Sequence, residues 1–498
     1  MAQLARRPLL SSSTRCIVPS LTSRRSFHAS PRWNLRTTEM SEKDLGDLKV
    51  SQKRLMEELQ HSCKWGTGKR YGDGPNETGM SRLSLSDGDN YVRDWFVDTM
   101  RSLNCTTTID AMGNIFAVRP GLRNDVPPTF AGSHLDTQPS GGRYDGILGV
   151  LAGMEMIRVL NDNWVETEFP VGVVNWTNEE GARFPLSMCA SGVWAGATPI
   201  EEAYNLHSVI HDNATMKAEL ERIGYLGETP CSYEAMPMAA HFELHIEQGP
   251  ILEAEKRKVG AVVGVQAYKW FTVQVTGRDA HTGTTPLENR ADALLASARM
   301  MQHAHRAATK YGARASTGIL TLEPGSTNTI PGSVRFSLDV RAPSDEIVAQ
   351  VEEHCREAFT KIGAHEGVQL EGKAYDYTEG GTKGLPCGVE WTVDSVSPAV
   401  NFHPDCITCV KESAAGLFGA SEVGTLTKDM VSGAGHDSVH ASKRCPTSMI
   451  FVPCRNGVSH NPEEYATDED CAIGAQVLTG AVVRYDRLRA KKEPNLRV

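Results

Sequence analysis

Histidine and carboxylate residues cluster at the ends of several apolar segments in this 498-residue sequence. The stretch AGSHLDTQPSGGRYDGILGV, residues 131–150, holds His134, Asp136 and Asp145 around a turn rich in Gly, Pro and Ser. The other clusters are Asn178-Glu179-Glu180, His245-Ile246-Glu247-Gln248, Gly435-His436-Asp437 and Ser459-His460-Asn461. Imidazole nitrogen and carboxylate oxygen are the donors that zinc accepts in catalytic sites without thiolates. These residue types therefore predict a metal-binding site.

Each cluster also has an ordinary structural explanation when it is taken alone. A single His is usually a surface or core residue, and Glu179 and Glu180 would suit a solvated loop. Asp145 would favour the start of a helix through the helix dipole. These separate explanations are less convincing when the clusters are taken together, because all five follow an apolar segment of the same kind. Whether Asp145 binds a metal, favours a helix or does both stays open at this point.

The segments around the clusters alternate between strand-like and helix-like patterns. PTFAGSHLD and FPVGVVNWTNEE are apolar runs that end in polar residues, and DGILGVLAGMEMIRVLND between them is typical of a buried helix. This alternation predicts an α/β sheet. In such sheets functional groups gather where strands end in loops. The clusters are therefore expected at one edge of the sheet.

The pattern changes near residue 262 and returns near residue 382. KWFTVQVTG alternates as a half-buried strand does, and amphipathic helices are predicted at about 287–310 and 344–361. Two strands, each with a helix, predict a small α+β domain inserted into a larger α/β domain. The predicted organisation is a leader at 1–36, a large domain at 45–262 and 382–498, and a small domain at 263–381. No motif is identified in the segment 376–405.

Composition restricts the possible partners and predicts a targeting segment. The net charge of −10 and the lack of a basic stripe argue against a nucleic-acid binder, and the absence of a long apolar run predicts no membrane span. Residues 1–36 hold seven Arg and no Asp or Glu, as a mitochondrial presequence does. The mitochondrial matrix is therefore the expected location. The alternative is a disordered basic tail on a cytosolic protein.

Seven ordered motifs resemble a known family. They are GSHLDTQPSGGRYDGILGV, NWTNEEGARFP, HFELHIEQGP, GRDAHTGTTP, STNTIPG, DVR and GAGHDS…GVSHNP. Together they resemble the dinuclear zinc amidohydrolase family of carboxypeptidases and aminoacylases. Within it they are most similar to the N-carbamoyl-amino-acid hydrolases and allantoate amidohydrolases, with the closest likeness to the β-ureidopropionases. The resemblance implies a large zinc-peptidase-like catalytic domain with an inserted lid or dimerisation domain.

On the matching positions, the resemblance implies two divalent metal ions. The implied ligands are a bridging Asp145, His134 and His245 at one site, and Glu180 and His460 at the other. Asp136 would accept a hydrogen bond from the free ring nitrogen of His134 and so fix its tautomer. Zinc is the expected ion, and Mn²⁺ or Co²⁺ are alternatives because His and carboxylate ligands accept all three.

The resemblance also implies roles in catalysis and substrate binding. Glu179 would be the general base that takes a proton from water and returns it to the leaving nitrogen. His281 would donate a hydrogen bond to the oxyanion of the tetrahedral intermediate. The implied substrate contacts are Gln248, Asn328, Arg341 and His436, with Arg341 and Asn328 at the substrate carboxylate. In family dimers lid residues can complete the site of the neighbouring subunit, which implies a homodimer through the inserted domain.

The implied reaction is hydrolysis of a linear amide C–N bond in an N-carbamoyl amino acid. N-carbamoyl-β-alanine is the leading expected substrate, and its products would be β-alanine, CO2 and ammonia. The alternatives are an allantoate-type amidohydrolase, an N-carbamoyl-L-amino-acid hydrolase and an aminoacylase-like hydrolase. A relative without catalysis would have lost Glu179 or a ligand, and all of them are present. A structural zinc protein would need a closed cysteine site, and the scattered cysteines form none.

Overall fold

The structure is a computed structural model, and it describes residues 35–210, 213–377 and 382–493. The predicted leader therefore lies outside the described residues except for its last two. Leu35–Arg36 pairs in parallel with Val165–Glu166. The last two residues of the predicted leader therefore pair with a strand of the folded domain. In the described part of the chain, no helix combines the length and the apolar character needed to cross a membrane.

The first part of the large domain ends at residue 265. Its strands are β1 (Leu35–Arg36), β2 (Thr67–Arg70), β3 (Thr78–Met80), β4 (Thr106–Ile109), β5 (Ile115–Arg119), β6 (Thr129–His134), β7 (Val165–Glu166), β8 (Val171–Trp176), β9 (Ala240–Ile246) and β10 (Val259–Val265). Its α-helices are α1 (Glu42–Asp47), α2 (Gln52–Ser62), α3 (Asp87–Ser102), α4 (Ile147–Asp162), α5 (Cys189–Trp194), α6 (Ile200–Tyr204), α7 (Met216–Arg222) and α8 (Ile251–Ala254).

The inserted lid domain follows. Its strands are β11 (Ala267–Thr276), β12 (Ala280–His281), β13 (Arg314–Ser316), β14 (Leu320–Glu323), β15 (Thr329–Ile330), β16 (Ser333–Ala342), β17 (Val368–Leu370), β18 (Lys373–Tyr375) and β19 (Gly388–Ser397). Its helices are α9 (Ala293–Lys310) and α10 (Asp345–Gly363). The two helices confirm the amphipathic patterns. Helix α9 begins later than expected because Asp292 caps it, accepting a hydrogen bond from the Leu295 N–H.

The chain then returns to the large domain. The strands of this second part are β20 (Val400–Asn401), β21 (Thr427–Ser432) and β22 (Thr447–Val452). Its α-helices are α11 (Pro404–Phe418), α12 (Val423–Leu426), α13 (Asp437–Ala441) and α14 (Asp468–Lys492). Short 3₁₀ helices lie at Thr37–Glu39, Leu287–Asn289 and Arg455–Gly457.

Four central strands of the large sheet run parallel, as the α/β pattern predicts. The strand order is β20-β10-β22-β9-β6-β8-β5-β4, and β21 also pairs with β10. Strands β8, β6, β9 and β22 are joined by parallel pairing, while β5 and β10 flank them in antiparallel orientation. The carboxyl ends of the four parallel strands therefore meet at one edge of the sheet.

Helices cover both faces of this sheet, which is why its central strands are apolar and fully buried. On one face of β9, the Phe242 ring packs 5.7 Å from the Tyr485 ring of α14. On the other face, the Ser438 hydroxyl of α13 donates to the Glu243 carboxylate at 2.6 Å. Helix α4 is buried along almost its whole length. The sheet edge is therefore held between two helical layers.

The lid is larger than the sequence pattern indicates. Its antiparallel sheet has the order β13-β16-β11-β19, with β14 also paired to β16. Strand β19 pairs with β11 along its length, from Tyr268–Ser397 to Thr276–Gly388. The sheet thus continues past residue 381, the predicted end of this domain, and the unexplained segment 376–405 contributes its edge strand. At the other end, β10 still belongs to the large sheet, so the lid begins near residue 266.

Candidate active site

The expected ligands lie at the carboxyl ends of the four adjacent parallel strands. His134 is the last residue of β6, and His245 is the next-to-last residue of β9. Glu180 follows β8, and His460 follows β22 in a long loop. Because parallel strands end at the same edge, residues more than 300 positions apart meet there. Asp145 joins them from the loop between β6 and α4.

Asp145 presents its two carboxylate oxygens to different groups of side chains. Its Oδ1 lies 3.0 Å from His245 Nε2 and 3.7 Å from His134 Nε2. Its Oδ2 lies 3.5 Å from His460 Nε2, and that nitrogen is 3.4 Å from Glu180 Oε2. Each oxygen of Asp145 therefore faces its own group of candidate metal ligands.

The donor atoms fit divalent metal ions in type and in spacing. In the group His134, Asp145 and His245, and in the group Asp145, Glu180 and His460, the donor atoms lie within 4.8 Å of one another. The side chains of Asp145 and Glu180 are only 6% and 5% exposed. Carboxylates this deeply buried need opposite charge beside them when they are ionised. Imidazole and carboxylate donors are suited to Zn²⁺, Mn²⁺ or Co²⁺.

The protonation of the bare ligands differs from the state that metal binding needs. Burial opposes ionisation of Asp145, but His245 and His134 hold the pKa of its carboxyl well below the ordinary value. Burial, with Asp145 nearby, raises the pKa of Glu180 well above its ordinary value. Burial lowers the pKa of His134 to about 4, whereas at His245 the Asp145 charge outweighs burial and raises the pKa to about 9. Metal uptake would therefore expel protons from Glu180 and His245.

Main-chain carbonyls orient both histidines of the first group. His134 Nδ1 lies 2.9 Å from the carbonyl oxygen of Asp136, and His245 Nδ1 lies 2.9 Å from that of Ile246. In the neutral imidazole the Nδ1–H donates to the carbonyl, so Nε2 keeps its lone pair. Both rings therefore present Nε2 to a metal ion.

The Asp136 carboxylate has other partners than the expected one. Its Oδ1 is 3.8 Å from His134 Nδ1, which is beyond hydrogen-bonding distance. The carboxylate accepts hydrogen bonds from the backbone N–H groups of Glu179 and Glu180, each at 3.3 Å. Asp136 therefore orients His134 through its backbone and the Glu179–Glu180 turn through its side chain.

The Asp145 side chain serves the ligand cluster and does not cap α4. The N-cap of α4 is Gly146, and no side chain accepts its first N–H groups. Gly146 has φ +66°, and a Cβ at this position would lie 2.3–2.5 Å from atoms of the His134 ring. Only glycine lets the chain turn from Asp145 into the helix this close to the imidazole.

Glu179 lies beside the cluster without joining either group of ligands. Its Oε2 is 3.6 Å from His134 Nε2, and its side chain borders the cleft above the ligands. Burial raises the pKa of Glu179 well above its ordinary value, and the nearby carboxylates of Asp437 and Glu180 raise it further. A carboxylate with raised proton affinity is suited to accept a proton from water and to return it.

A cleft of about 220 Å³ opens over the cluster, and Gln248 and His436 line it as expected for substrate contacts. The Gln248 amide Nε2 donates to Asp145 Oδ2 at 2.7 Å. The His436 ring lies 4.6 Å from the His245 ring. Burial holds the pKa of His436 well below its ordinary value, so this imidazole is neutral. His436 Nε2 and the Ser432 hydroxyl form a hydrogen bond of 3.1 Å.

Arg341 reaches the same cleft from the lid strand β16. Its Nε and Nη2 each donate to the Asp339 carboxylate at 3.0 Å, and its Nη1 donates to the Gly433 carbonyl at 3.1 Å. These contacts fix the plane of the guanidinium, which keeps further N–H donors for a ligand. A fixed guanidinium is the side chain best suited to bind a carboxylate.

His281 and Asn328 do not lie in this cleft. They sit together on another exposed part of the lid, where β12 pairs with β15 and the Thr282 N–H donates to the Asn328 carbonyl at 3.0 Å. His281 Nδ1 accepts hydrogen bonds from the N–H groups of Gly283 and Thr284, at 3.1 and 3.2 Å. A neutral His281 therefore carries its proton on Nε2. The roles of both residues stay predictions.

Glu464 fixes the loop that carries Asp145, and it belongs to none of the clusters that the sequence pattern indicates. Its Oε1 lies 3.0 Å from the backbone nitrogens of both Tyr144 and Asp145 and accepts from them. Its Oε2 is 2.9 Å from the Ser459 hydroxyl, which is also 2.9 Å from Asp145 Oδ2. Glu464 is 1% exposed. Its position four residues after His460 was the one signal in a segment that otherwise suits a solvated turn.

Two more side chains, the partly buried Gln138 and the buried Glu243, lie beside the candidate ligands. Gln138 donates from its backbone N–H and its Nε2 to the Glu180 carboxylate, at 3.1 and 2.7 Å. Glu243 accepts hydrogen bonds from the Ser133 hydroxyl at 2.7 Å and lies on β9, two residues before His245. Side chains two positions apart on a strand share a face. This alternation was the signal that could have revealed Glu243.

Comparisons with known proteins agree with this architecture. The family described as peptidase family M20/M25/M40 matches residues 130–484. The chain is 38% identical over 441 residues to an N-carbamoyl-L-amino-acid amidohydrolase of Rhizobium meliloti, covering 87% of this chain and 96% of that protein. It is 30% identical over 412 residues to a ureidoglycolate hydrolase of Oryza sativa subsp. japonica, covering 81% and 80%.

A solved structure shares the whole fold. It is a hydantoinase/carbamoylase family amidase from Burkholderia multivorans, with a TM-score of 0.77 and 40% sequence identity. The match covers 89% of this chain and 99% of that one. The α/β fold class predicted from the sequence is thereby confirmed.

Proposed function

The chain belongs to the peptidase family M20/M25/M40, and from this premise we propose that it is a two-metal hydrolase of N-carbamoyl-L-α-amino acids. Amidohydrolases among its relatives support the general class of reaction. Two of the relatives, 38% and 33% identical to this chain, are named for N-carbamoyl-L-amino acids. The motif resemblance implies N-carbamoyl-β-alanine as the leading substrate, whereas the names of the relatives favour the N-carbamoyl-L-amino-acid alternative.

One observation carries the proposal. The two oxygens of Asp145 face two separate groups of ligands, while Glu179 lies 3.6 Å from His134 and outside both groups. A site of this kind holds two cations and leaves one carboxylate free for proton transfer. Metal ions bound there would polarise the scissile carbonyl and make a water molecule more acidic. Zinc is the ion we propose.

The reaction is a hydrolysis in which Glu179 moves one proton. Glu179 takes a proton from water as the water oxygen adds to the ureido carbon of the substrate. It then gives this proton to the α-nitrogen, and the bond between that nitrogen and the ureido carbon breaks. The amino acid leaves, and the carbamic acid that remains decomposes to CO2 and ammonia.

The free carboxylate of the substrate has a partner in Arg341. The Arg341 guanidinium lines the cleft that also contains Glu179, and Asp339 and Gly433 fix its orientation. An N-carbamoyl amino acid keeps its α-carboxylate, so this contact would orient the ureido group toward Glu179. Gln248 and His436 border the same space and would contact the ureido group or the carboxylate.

Dimerisation would bring His281 and Asn328 to a site. Both residues lie on the lid away from the cleft of their own chain, and the Nε2–H of neutral His281 is a donor suited to an oxyanion. Strand β19 is an edge of the lid sheet with Val393 and Val396 about half exposed. An edge strand with exposed apolar side chains is a surface for pairing with a second copy. We therefore propose a homodimer through the lid.

A substrate panel tests the proposed function. The metal-free protein is reconstituted with Zn²⁺, Mn²⁺ or Co²⁺ and assayed on N-carbamoyl-L-α-amino acids, N-carbamoyl-β-alanine, allantoate, ureidoglycolate and N-acetyl amino acids. The proposal expects the highest kcat/KM on N-carbamoyl-L-α-amino acids and none without metal. Preference for allantoate, ureidoglycolate or an N-acetyl amino acid would contradict the proposed substrate class.

The proposed location is the mitochondrial matrix. Its support is the acid-free segment with seven Arg at residues 1–36. Residues 1–36 fused to a fluorescent protein should direct it to mitochondria, and a fusion with the arginines replaced by Gln is the control. A diffuse cytosolic signal from the unaltered fusion would contradict this location.

A further inference from the structure

Two aromatic side chains stand on the face of the lid sheet that borders the cleft. On β11, Phe271 and Val273 are buried in the lid core, while Tyr268 and Trp270 belong to the opposite, more exposed face. The Tyr268 and Trp270 rings stack with centroids 5.2 Å apart and an interplanar angle of 30°. Both line the cleft above the ligand cluster, and Trp270 is 42% exposed. An indole left this open is available to a ligand.

The aromatic pair lies directly beside the proposed carboxylate site. Tyr268 and Arg341 are cross-strand partners on β11 and β16, and Trp270 is paired with Asp339. The Arg341 guanidinium carbon is 5.3 Å from the centre of the Tyr268 ring. The Cα of an amino acid is bonded to its carboxylate carbon. A carboxylate bound at Arg341 would therefore bring the substituent on Cα against these rings.

The rest of the cleft offers little to an apolar substituent. Among the described residues that line it, the large apolar side chains are Met188, Tyr268 and Trp270. Most of the others are charged or polar groups of the ligand cluster and its surroundings. Aromatic rings stack favourably on one another and bury large apolar areas. N-carbamoyl-β-alanine carries no side chain and would leave the rings uncovered.

We propose that Tyr268 and Trp270 form a side-chain subsite that makes the enzyme selective for N-carbamoyl amino acids with an aromatic or large apolar side chain. This inference rests on the proposed function, because it needs an N-carbamoyl amino acid bound through Arg341. The subsite lies on the lid, whereas the metal ligands lie on the large domain. The lid would thus bind the side chain of the substrate, and the large domain would bind its ureido group.

The wild-type protein tests the preference with substrates that differ only in the side chain. The series is N-carbamoylglycine and the N-carbamoyl derivatives of L-alanine, L-methionine, L-phenylalanine and L-tryptophan, with N-carbamoyl-β-alanine beside them. One methylene in an apolar pocket commonly changes kcat/KM by about tenfold or more. We expect kcat/KM on the phenylalanine derivative to exceed that on the glycine derivative by at least about tenfold.

Substitutions show whether the aromatic pair causes the preference. Trp270→Ala should lower the phenylalanine-to-glycine ratio of kcat/KM by about tenfold, mainly through KM, and Trp270→Phe should retain most of the ratio. Trp164→Ala is the matched control, because Trp164 is 67% exposed on the large domain and outside the cleft. It should leave the ratio at the wild-type value.

The outcomes separate the subsite from the proposed function. Hydrolysis of the whole series with equal kcat/KM, or an unchanged ratio in folded Trp270→Ala, would overturn the subsite and leave the proposed function standing. Absence of hydrolysis of every N-carbamoyl amino acid by the metal-loaded protein would overturn both. A preference that Trp270→Ala removes and Trp164→Ala keeps would support the subsite.

Discussion

The sheet edge of the large domain gathers its candidate functional residues at one place, whereas the lid has them at two separate places. At the sheet edge, His134, Glu180, His245 and His460 come from four loops or strand ends and meet around Asp145 within one chain. On the lid, Arg341 reaches this site, but His281 and Asn328 lie elsewhere on the surface. The large domain therefore supplies all five candidate metal ligands by itself.

This difference follows from how each region is built. Parallel strands fix the sheet edge, and buried groups such as Glu464 and Asp136 hold its loops by hydrogen bonds. His281 and Asn328 lie far from the cleft of their own chain. They could reach an active site only in a dimer, and we propose that this site belongs to a partner subunit. The ligand cluster should thus tolerate changes on the lid, while turnover should not.

The strongest loss of activity is expected from the large domain. Glu179→Gln should lower kcat by about 10²–10⁴-fold, because the amide cannot accept the proton from water. Metal content measured by elemental analysis should stay at two ions per chain, since Glu179 is in neither group of ligands. Near-normal turnover in this variant would refute Glu179 as the base. Loss of metal would instead make it a ligand.

A smaller loss of activity is expected from a substitution on the lid, and a second variant chain should be able to restore it. His281→Ala should lower kcat by about 10²–10³-fold, as expected for loss of an oxyanion donor. If His281 acts across a dimer, co-expression of a His281→Ala chain with a Glu179→Gln chain should restore activity, because one site of the mixed dimer keeps both residues. Thr309→Ala, on the same domain, is a control for the purification and assay.

A mixed protein as inactive as either parent would show that His281 does not act across subunits. The complementation requires dimers, so the mass of each preparation is measured by light scattering. A monomer with full activity would contradict both the proposed dimer and the role of His281 in the partner's site.

The smallest effect is expected from substitution of Glu464, which holds the backbone at Asp145. Glu464→Ala removes the acceptor for the backbone N–H groups of Tyr144 and Asp145 and should weaken metal affinity by about 10–100-fold. Glu464→Gln keeps the oxygen that accepts from those groups and should lie closer to wild type. Titration with Zn²⁺ against a competing chelator measures the affinities. Equal affinities of the alanine variant and wild type would refute this positioning role.

The sequence pointed to the candidate ligands because four of the five follow an apolar strand of recognisable pattern. His134 and His245 lie at the ends of their strands, and Glu180 lies four residues after the end of β8. The motif resemblance supplied the pairing of Asp145 with both groups. The contacts of Asp136 were not predictable, because its carbonyl and its carboxylate compete for the same imidazole at a distance that only the folded turn decides. Glu464 was missed because a buried acceptor and a solvated Glu look alike in a polar segment.

The limits of the lid were harder to predict than its helices. Helices α9 and α10 have local amphipathic patterns, and both were identified. Strand β19 pairs with β11 more than 100 residues earlier. Its apolar residues Val389, Trp391 and Val393 alternate with polar ones, but this local pattern does not show which sheet the strand joins. Its membership in the lid sheet is a non-local property, and for this reason the predicted boundary at residue 382 fell too early.

Metal content after removal of single ligands tests the central claim, that Asp145 bridges two metal ions. Purified wild-type protein and the variants Asp145→Ala and His460→Ala are analysed for metal per chain by elemental analysis, with circular dichroism to confirm folding. The account predicts two ions in the wild type, about one in His460→Ala and none held tightly in Asp145→Ala. A folded Asp145→Ala variant that retains two ions, or one that loses no more metal than His460→Ala, would contradict it.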